Sequence, residues 1–362
     1  MFADVYRNKK ILVTGHTGFK GSWLVLWLKM LGAEVIGLAL APNTSPNHFE
    51  LIKSELESHL IDIRDYELLA KTIKSINPDI IFHLAAQPLV RESYVDPLAT
   101  INTNTVGTAN LLNASRYTEA LRAIVVISSD KCYENKEWDR GYHEDDSMGG
   151  FDPYSASKGC AELVVSSFRR SYFHPDKYGK EHQVLIATAR GGNVIGGGDW
   201  SKDRLIPDII KAVVENKIAN IRSPSSTRPW QHVLECLSGY LVLGQKLLQN
   251  KKLFAEAWNF GPLYNSDATV LDVLRLMQQQ WPKIQYAIEE NVEHPHEAGL
   301  LKLDCFKANS KLRWDNLWDL KQTIQKTAEW YREFYEENNV STQNQIEQYI
   351  QAAKQKNIEW AK

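Results

Sequence analysis

Short apolar runs alternate with longer segments of helical spacing through the first half of this chain. Lys10-Ile11-Leu12-Val13-Thr14 and Glu34-Val35-Ile36-Gly37-Leu38-Ala39-Leu40 have the length of strands. Between them Trp23-Leu24-Val25-Leu26-Trp27-Leu28 is apolar all round and stops near Gly32, which predicts a largely buried helix and so a βαβ unit. Further strands are predicted at Leu60-Ile61 and over residues 79–84, 123–127 and 184–189, with helically spaced segments between them. Regular alternation of this kind predicts an α/β fold built on a doubly wound parallel sheet, because parallel neighbours need crossover connections. After Gly191 the texture changes to a glycine-rich loop at Gly196-Gly197-Gly198-Asp199-Trp200, a helix over 205–216 and a turn over 223–227. The expected division is a first domain over 1–190 with a later return near 230–260, a smaller α/β C-terminal domain over 191–335, and a polar helical tail over 336–362.

Composition narrows the picture without naming a chemistry. At 362 residues and 43% hydrophobic the chain can bury a large core, and a net charge of -2 gives no bulk attraction to nucleic acid or to a membrane surface. No stretch is long and apolar enough to cross a bilayer, and the polar start lacks the pattern of a secretory signal, so a cytoplasmic protein is expected. Cys132, Cys160, Cys236 and Cys305 are too scattered for a disulfide framework or a metal cluster. His294-Pro295-His296-Glu297 is a poor metal motif by itself, and no metal is expected.

Three stretches carry candidate chemistry. Gly15-His16-Thr17-Gly18-Phe19-Lys20-Gly21 spaces glycines as GxxGxxG at a strand-to-helix turn, where backbone N–H groups and a helix N-terminus can approach a pyrophosphate. Lys20 either reaches a phosphate or is solvated at the helix start. The second strand ends without the acidic residue that would take ribose hydroxyls, which leaves NAD and NADP both open. Asp62, followed by Ile63, either meets an adenine or caps a helix, and Leu84-Ala85-Ala86-Gln87 supplies small residues over which a flat cofactor could pass. The second stretch is Ser128-Ser129-Asp130-Lys131, at the carboxyl end of a buried strand, where open α/β sheets place their chemistry. The third is Tyr154-Ser155-Ala156-Ser157-Lys158, whose phenol and ammonium share a helix face. A phenol with a pKa near 10 is a poor base at neutral pH, and an adjacent positive charge is expected to lower it.

These motifs, with Asn104-Thr105-Val106-Gly107-Thr108 and Arg190-Gly191-Gly192-Asn193, occur in an order that resembles the extended short-chain dehydrogenase/reductase family, specifically its nucleotide-sugar 4,6-dehydratases. The resemblance spans most of residues 10 to 320 and implies a Rossmann-type NAD-binding domain. It implies oxidation at carbon 4 of the sugar, loss of water across carbons 5 and 6, and return of the hydride to carbon 6. The runs from Thr14 to Trp23 and from Ser129 to Lys131 are most like members that act on CDP-glucose. In those terms Tyr154, Lys158 and Ser129 serve the oxidation and Asp130 the elimination. Lys131 stands where many relatives have a glutamate base, and is either the carbon-5 base or its electrostatic helper, or a lysine paired with Asp130. Asn104 joins the cofactor contacts. Ser93, Asn193, Arg204, Arg222, Arg228, His232 and Glu297 fall where the family places substrate contacts, although each arginine also suits a salt bridge and Glu297 also suits solvent. A homodimer or homotetramer through a helix bundle is implied, with residues 104–117 and the Tyr154 helix as candidates. A sugar-nucleotide epimerase or decarboxylase, and a non-catalytic nucleotide sensor, are the alternatives.

Overall fold

The computed structural model describes residues 1–221, 223–262, 267–288 and 300–362. Seven parallel strands form one sheet: β1 (Lys10–Thr14), β2 (Glu34–Ala39), β3 (Glu57–Leu60), β4 (Ile80–His83), β5 (Ala123–Ile127), β6 (Leu185–Arg190) and β7 (Ala257–Asn259), in the order β7-β6-β5-β4-β1-β2-β3. The direction of strand succession reverses between β1 and β4, and such a switch point opens a crevice at the carboxyl ends of the strands. The register Thr14↔His83 brings the glycine turn after β1 level with the Leu84 segment after β4. The third strand differs from expectation. It comprises the polar Glu57–Leu60, with Ile61 turning into the core just beyond it, because an edge strand needs little apolar surface.

Alternate residues of the strands feed two cores. Ile11, Val13, Phe82 and Val125 face one side, with Trp23 and Trp27 of the Phe19–Met30 helix and the Val233–Leu248 helix. Leu12, Ile81, Ile124 and Val126 face the other, beneath helices Tyr66–Ile76, Gly107–Ser115 and Pro153–Ser171. Burial on both faces explains why the central strands read as unbroken apolar runs. The Val233–Leu248 helix covers the sheet, and β7 pairs with β6. The smaller lobe contains the Leu205–Val214 helix, a parallel pairing of Ala219–Ile221 with Tyr286–Ile288, and an antiparallel pairing of Thr227–Pro229 with Asp267–Thr269.

A helix over Thr342–Gln355 and the residues after it are built into the main core. Trp360 stacks on Phe2 at 4.9 Å, and Tyr349 meets Trp27 edge-on at 5.8 Å. No described helix is long and apolar enough to cross a membrane.

Candidate active site

Ser129, Asp130, Tyr154 and Lys158 gather near the carboxyl end of β5, with Lys131 next to Asp130 in the turn that follows it. Ser129 opens a short turn over Asp130–Cys132, its Oγ accepting from the Lys131 N–H at 3.3 Å. Asp152 starts the neighbouring helix by accepting from the Ser155 N–H at 2.9 Å, and Pro153 occupies the first helical position. Tyr154 therefore sits in the first turn with Lys158 one turn on, and both are buried.

The cluster is tied together by short contacts. Ser129 Oγ donates to Asp130 Oδ1 at 2.9 Å and is also hydrogen-bonded to the Tyr154 phenol. Asn193, held at a φ of 51°, donates from Nδ2 to Asp130 Oδ2 at 3.4 Å. Gly192 clears the space for this carboxylate, since a Cβ there would lie 1.7 Å from Asp130 Oδ2. Lys131 is half-buried, and its ammonium makes no hydrogen bond or ion pair among the described residues, so the alternative of a pairing with Asp130 is not seen there.

Charge in the cluster differs from the sequence expectation in one respect. Burial is the largest influence on the Tyr154 phenol and pushes it up to about 12, while the Ser129 hydrogen bond and the Arg204 charge pull it back. The cation acting most strongly on the phenol is thus Arg204 rather than Lys158. Lys158 is itself pushed down to about 8, first by burial and then by Lys20. Lys20 is half-buried, and its ammonium, lowered chiefly by burial, feels the charges of Arg204, Asp130 and Asp199. Arg204 is half-buried and anchored by Asp199 Oδ2 at 2.8 Å.

The glycine turn suits a dinucleotide. A Cβ on Gly21 would lie 2.1 Å from Gly15 O, and one on Gly15 2.7 Å from the Ala85 N, so the turn closes tightly against the β4 loop. Gly18 precedes the Phe19–Met30 helix without a side-chain cap, leaving the helix N-terminus to an anion. Thr17 Oγ1 donates to Leu40 O at 2.9 Å and fixes the turn to the end of β2.

Along 91% of the chain the protein is similar, at 25% identity, to a UDP-glucose 4-epimerase of Mycoplasma pneumoniae, of which 98% is covered. Along 96% of the chain it is 48% identical to a CDP-glucose 4,6-dehydratase of Salmonella typhimurium, of which 98% is covered. The GDP-mannose 4,6-dehydratase family matches over residues 12–327. The chain belongs to that family. Among solved structures, an NAD-bound dTDP-glucose 4,6-dehydratase of Streptomyces venezuelae shares the fold, with a TM-score of 0.74 at 22% identity over 90% of this chain and 97% of that one.

Other residues expected at a dehydratase site take varied places. Leu84, Ala85, Ala86 and Gln87 stand half-buried beside the glycine turn, although the Gln87 side-chain amide is engaged by Leu89 O and Thr100. Asn104 lies in a π-helical turn and clamps Gln87 O at 3.0 Å and Ser157 Oγ at 2.8 Å, so its amide joins the β4 loop to the Tyr154 helix instead of facing the crevice. Asp62 is held by Arg64, and the helix cap is Asp65; Ile63 packs against Gly107. His16 is buried under β2, bonded to Ser58 at 2.8 Å, and serves as a packing residue.

Two residues expected as substrate contacts have internal partners. Ser93 is fully buried and donates to Val90 O at 2.6 Å. His232 is fully buried between Trp23 and Trp318, where Nδ1 accepts from the Leu234 N–H and caps the return helix. Both are polar residues that the fold uses internally. Arg228 lies on the Thr227–Pro229 strand, while Arg222 and Glu297, with His294 and His296, lie outside the described residues. Sequence reasoning missed Asp199, whose partnership with Arg204 needs the loop geometry. It also missed Glu162, which the four-residue spacing from Lys158 could have indicated.

Proposed function

We propose that this protein is a CDP-glucose 4,6-dehydratase, a hydro-lyase that converts CDP-D-glucose into CDP-4-keto-6-deoxy-D-glucose with NAD as its regenerated cofactor. The observation that carries this reading is the 48% identity to the Salmonella typhimurium enzyme along nearly the whole of both chains. The acid–base groups gathered at the carboxyl end of β5 suit the reaction. When bound, NAD accepts a hydride from carbon 4 of the sugar and returns it to carbon 6. Gly15, Gly18, Phe19, Lys20, Gly21, Ala85 and Lys158 are the residues that would hold it.

In this reading Tyr154 accepts the proton of the 4-hydroxyl, helped by the Arg204 charge, while the Ser129 hydroxyl donates to the developing ketone. The ketone acidifies the carbon-5 proton, which passes to the Lys131 amine, or to water with the Lys131 ammonium stabilising the enolate, and a proton returns to carbon 5 when the hydride reaches carbon 6. Asp130, carrying a proton, delivers it to the departing 6-hydroxyl, so water leaves and the overall change is redox-neutral. Asn193, Arg204 and Arg228 supply the amide and guanidinium donors that a pyrophosphate favours. Residues 1–190 with the return near 230–260 form the cofactor half, and 191–335 most of the substrate half. The work would be cytoplasmic, supplying a deoxysugar for O-antigen synthesis.

A homodimer or homotetramer is part of the proposal. Exposed Leu163 on the Tyr154 helix, and Val106 and Tyr117 on the neighbouring segment, offer apolar surface to a helix bundle. A monomer in sedimentation would count against it. Incubation with NAD and each of CDP-, GDP-, UDP- and dTDP-glucose tests the activity. A 4-keto-6-deoxy product from the CDP sugar is expected. A carbon-4 epimer would instead favour an epimerase, and no product from any of them a nucleotide-sensing protein.

A further inference from the structure

Tyr154, Lys158 and Glu162 recur at four-residue intervals, so one face of the Pro153–Ser171 helix carries a phenol, an ammonium and a carboxylate in succession. Lys158 and Glu162 both line a small cavity at the carboxyl end of β5, together with His83, Thr108, Ser128 and Thr188. One carboxylate oxygen of Glu162 is fully engaged. Oε2 accepts from Arg190 Nη2 at 2.9 Å and from Thr188 Oγ1 at 2.8 Å, within an ion pair whose side chains are each 4% exposed. The other oxygen, Oε1, is buried without a hydrogen-bond partner, and so is Ser128 Oγ. Buried acceptors of this kind call for a donor. The donors that line the cavity are the Ser128 hydroxyl, which as a hydrogen-bond donor favours the Glu162 carboxylate, and the Lys158 ammonium; a carboxylate oxygen has room for two donors, and a water joining it to Lys158 would find polar partners here.

We propose that Glu162 is a positioning residue for the oxidation step, holding the Lys158 ammonium charged and in place across the cavity they share, through one water between them. The proposal deepens the reading of Tyr154 and Lys158 as the oxidation pair and rests on it. One carboxylate then serves two cations, Arg190 on one oxygen and Lys158 on the other. The remaining titratable groups facing the pair are His83 from β4, Lys20 from the first helix, Cys132 from the turn after β5, and Arg169 from the same helix. Burial and Lys20 drive the ammonium toward its neutral form, and Glu162 is the strongest influence opposing them. Although burial favours its neutral form, the Arg190 charge and hydrogen bonds hold the Glu162 carboxyl below its ordinary value, so it is ionised when it acts.

Competitive acetic anhydride labelling of Lys158 across pH, read by peptide mass spectrometry on the full substrate-free chain, tests the proposal. In Glu162→Gln the labelling midpoint should fall by about one pH unit, the effect of losing one close opposite charge. Glu162→Asp should restore most of it, and the basic limb of kcat/KM for CDP-glucose should move with the midpoint. Glu162→Gln leaves Arg190 buried without a counter-charge, so Glu162→Gln/Arg190→Gln repeats the measurement with neither charge present. A fall in the same direction, smaller by the repulsion that Arg190 no longer exerts, is expected there. A midpoint that stays at the wild-type value in these variants overturns the proposal. Labelling needs no substrate, so absent dehydratase activity would sink the functional reading alone and leave the midpoint to judge Glu162.

Discussion

Asp130 depends on what is missing beside it. Its Oδ2 occupies the space a Cβ of residue 192 would fill, 1.7 Å away, so Gly192→Ala must displace the carboxylate or the backbone. Turnover of CDP-glucose should fall at least about 100-fold, the contribution of a general acid, while equilibrium dialysis finds NAD still bound. Lys131→Met should likewise abolish dehydration and leave NAD bound, and unchanged turnover would remove Lys131 from the mechanism. Much of this centre was legible in the sequence, because Ser129, Tyr154 and Lys158 belong to contiguous motifs whose local spacing survives folding. The internal partners of Ser93 and His232 were hidden for the opposite reason. A polar residue that caps a helix or bonds its own backbone looks, in one dimension, like one that meets a ligand.

At the scale of elements, β1, β2, β4, β5 and β6 and the helix after the glycine turn followed from hydrophobic patterning, whereas the polar edge strand β3 was displaced and the C-terminal helix looked inert. The return helix shows why that last segment matters. Glu235, buried on Val233–Leu248, accepts from the N–H groups of Leu317 and Trp318 and from the Tyr349 hydroxyl, clasping two later segments to the sheet. Burial pushes its carboxyl up to about 7 from the ordinary 4.5, against the pull of those hydrogen bonds. The folded state therefore holds a proton that the unfolded state has released. The stabilisation is complete below about pH 4.5 and is lost as pH rises toward 7, a change on the order of 3 kcal/mol. Thermal melts of Glu235→Gln should gain on the wild type as pH rises from about 5 to about 7, within the window set by these two values. A constant difference across that interval would show that Glu235 does not titrate there.

Over the whole molecule, the chain closes on itself: Phe2 near the start, Trp27 of the first helix, and Tyr349 and Trp360 near the end share one aromatic cluster. Trp360→Ala should cost about 3–5 kcal/mol, read as a lower midpoint in urea unfolding. A midpoint unchanged from the wild type would make the last residues a dispensable tail. The Leu320–Glu337 helix reaches the site itself, because the Tyr331 hydroxyl bonds the Asp199 backbone at both N and O, and Asp199 anchors Arg204. Closure of the fold and placement of the cation nearest in effect to Tyr154 are thus one structural event. The chemistry assigned to that site is an internal hydride transfer, which an isotope can follow. CDP-glucose deuterated at carbon 4 should give a 4-keto-6-deoxy product with the deuterium at carbon 6, seen by NMR. Deuterium retained at carbon 4, or lost to solvent, would contradict the proposed reaction.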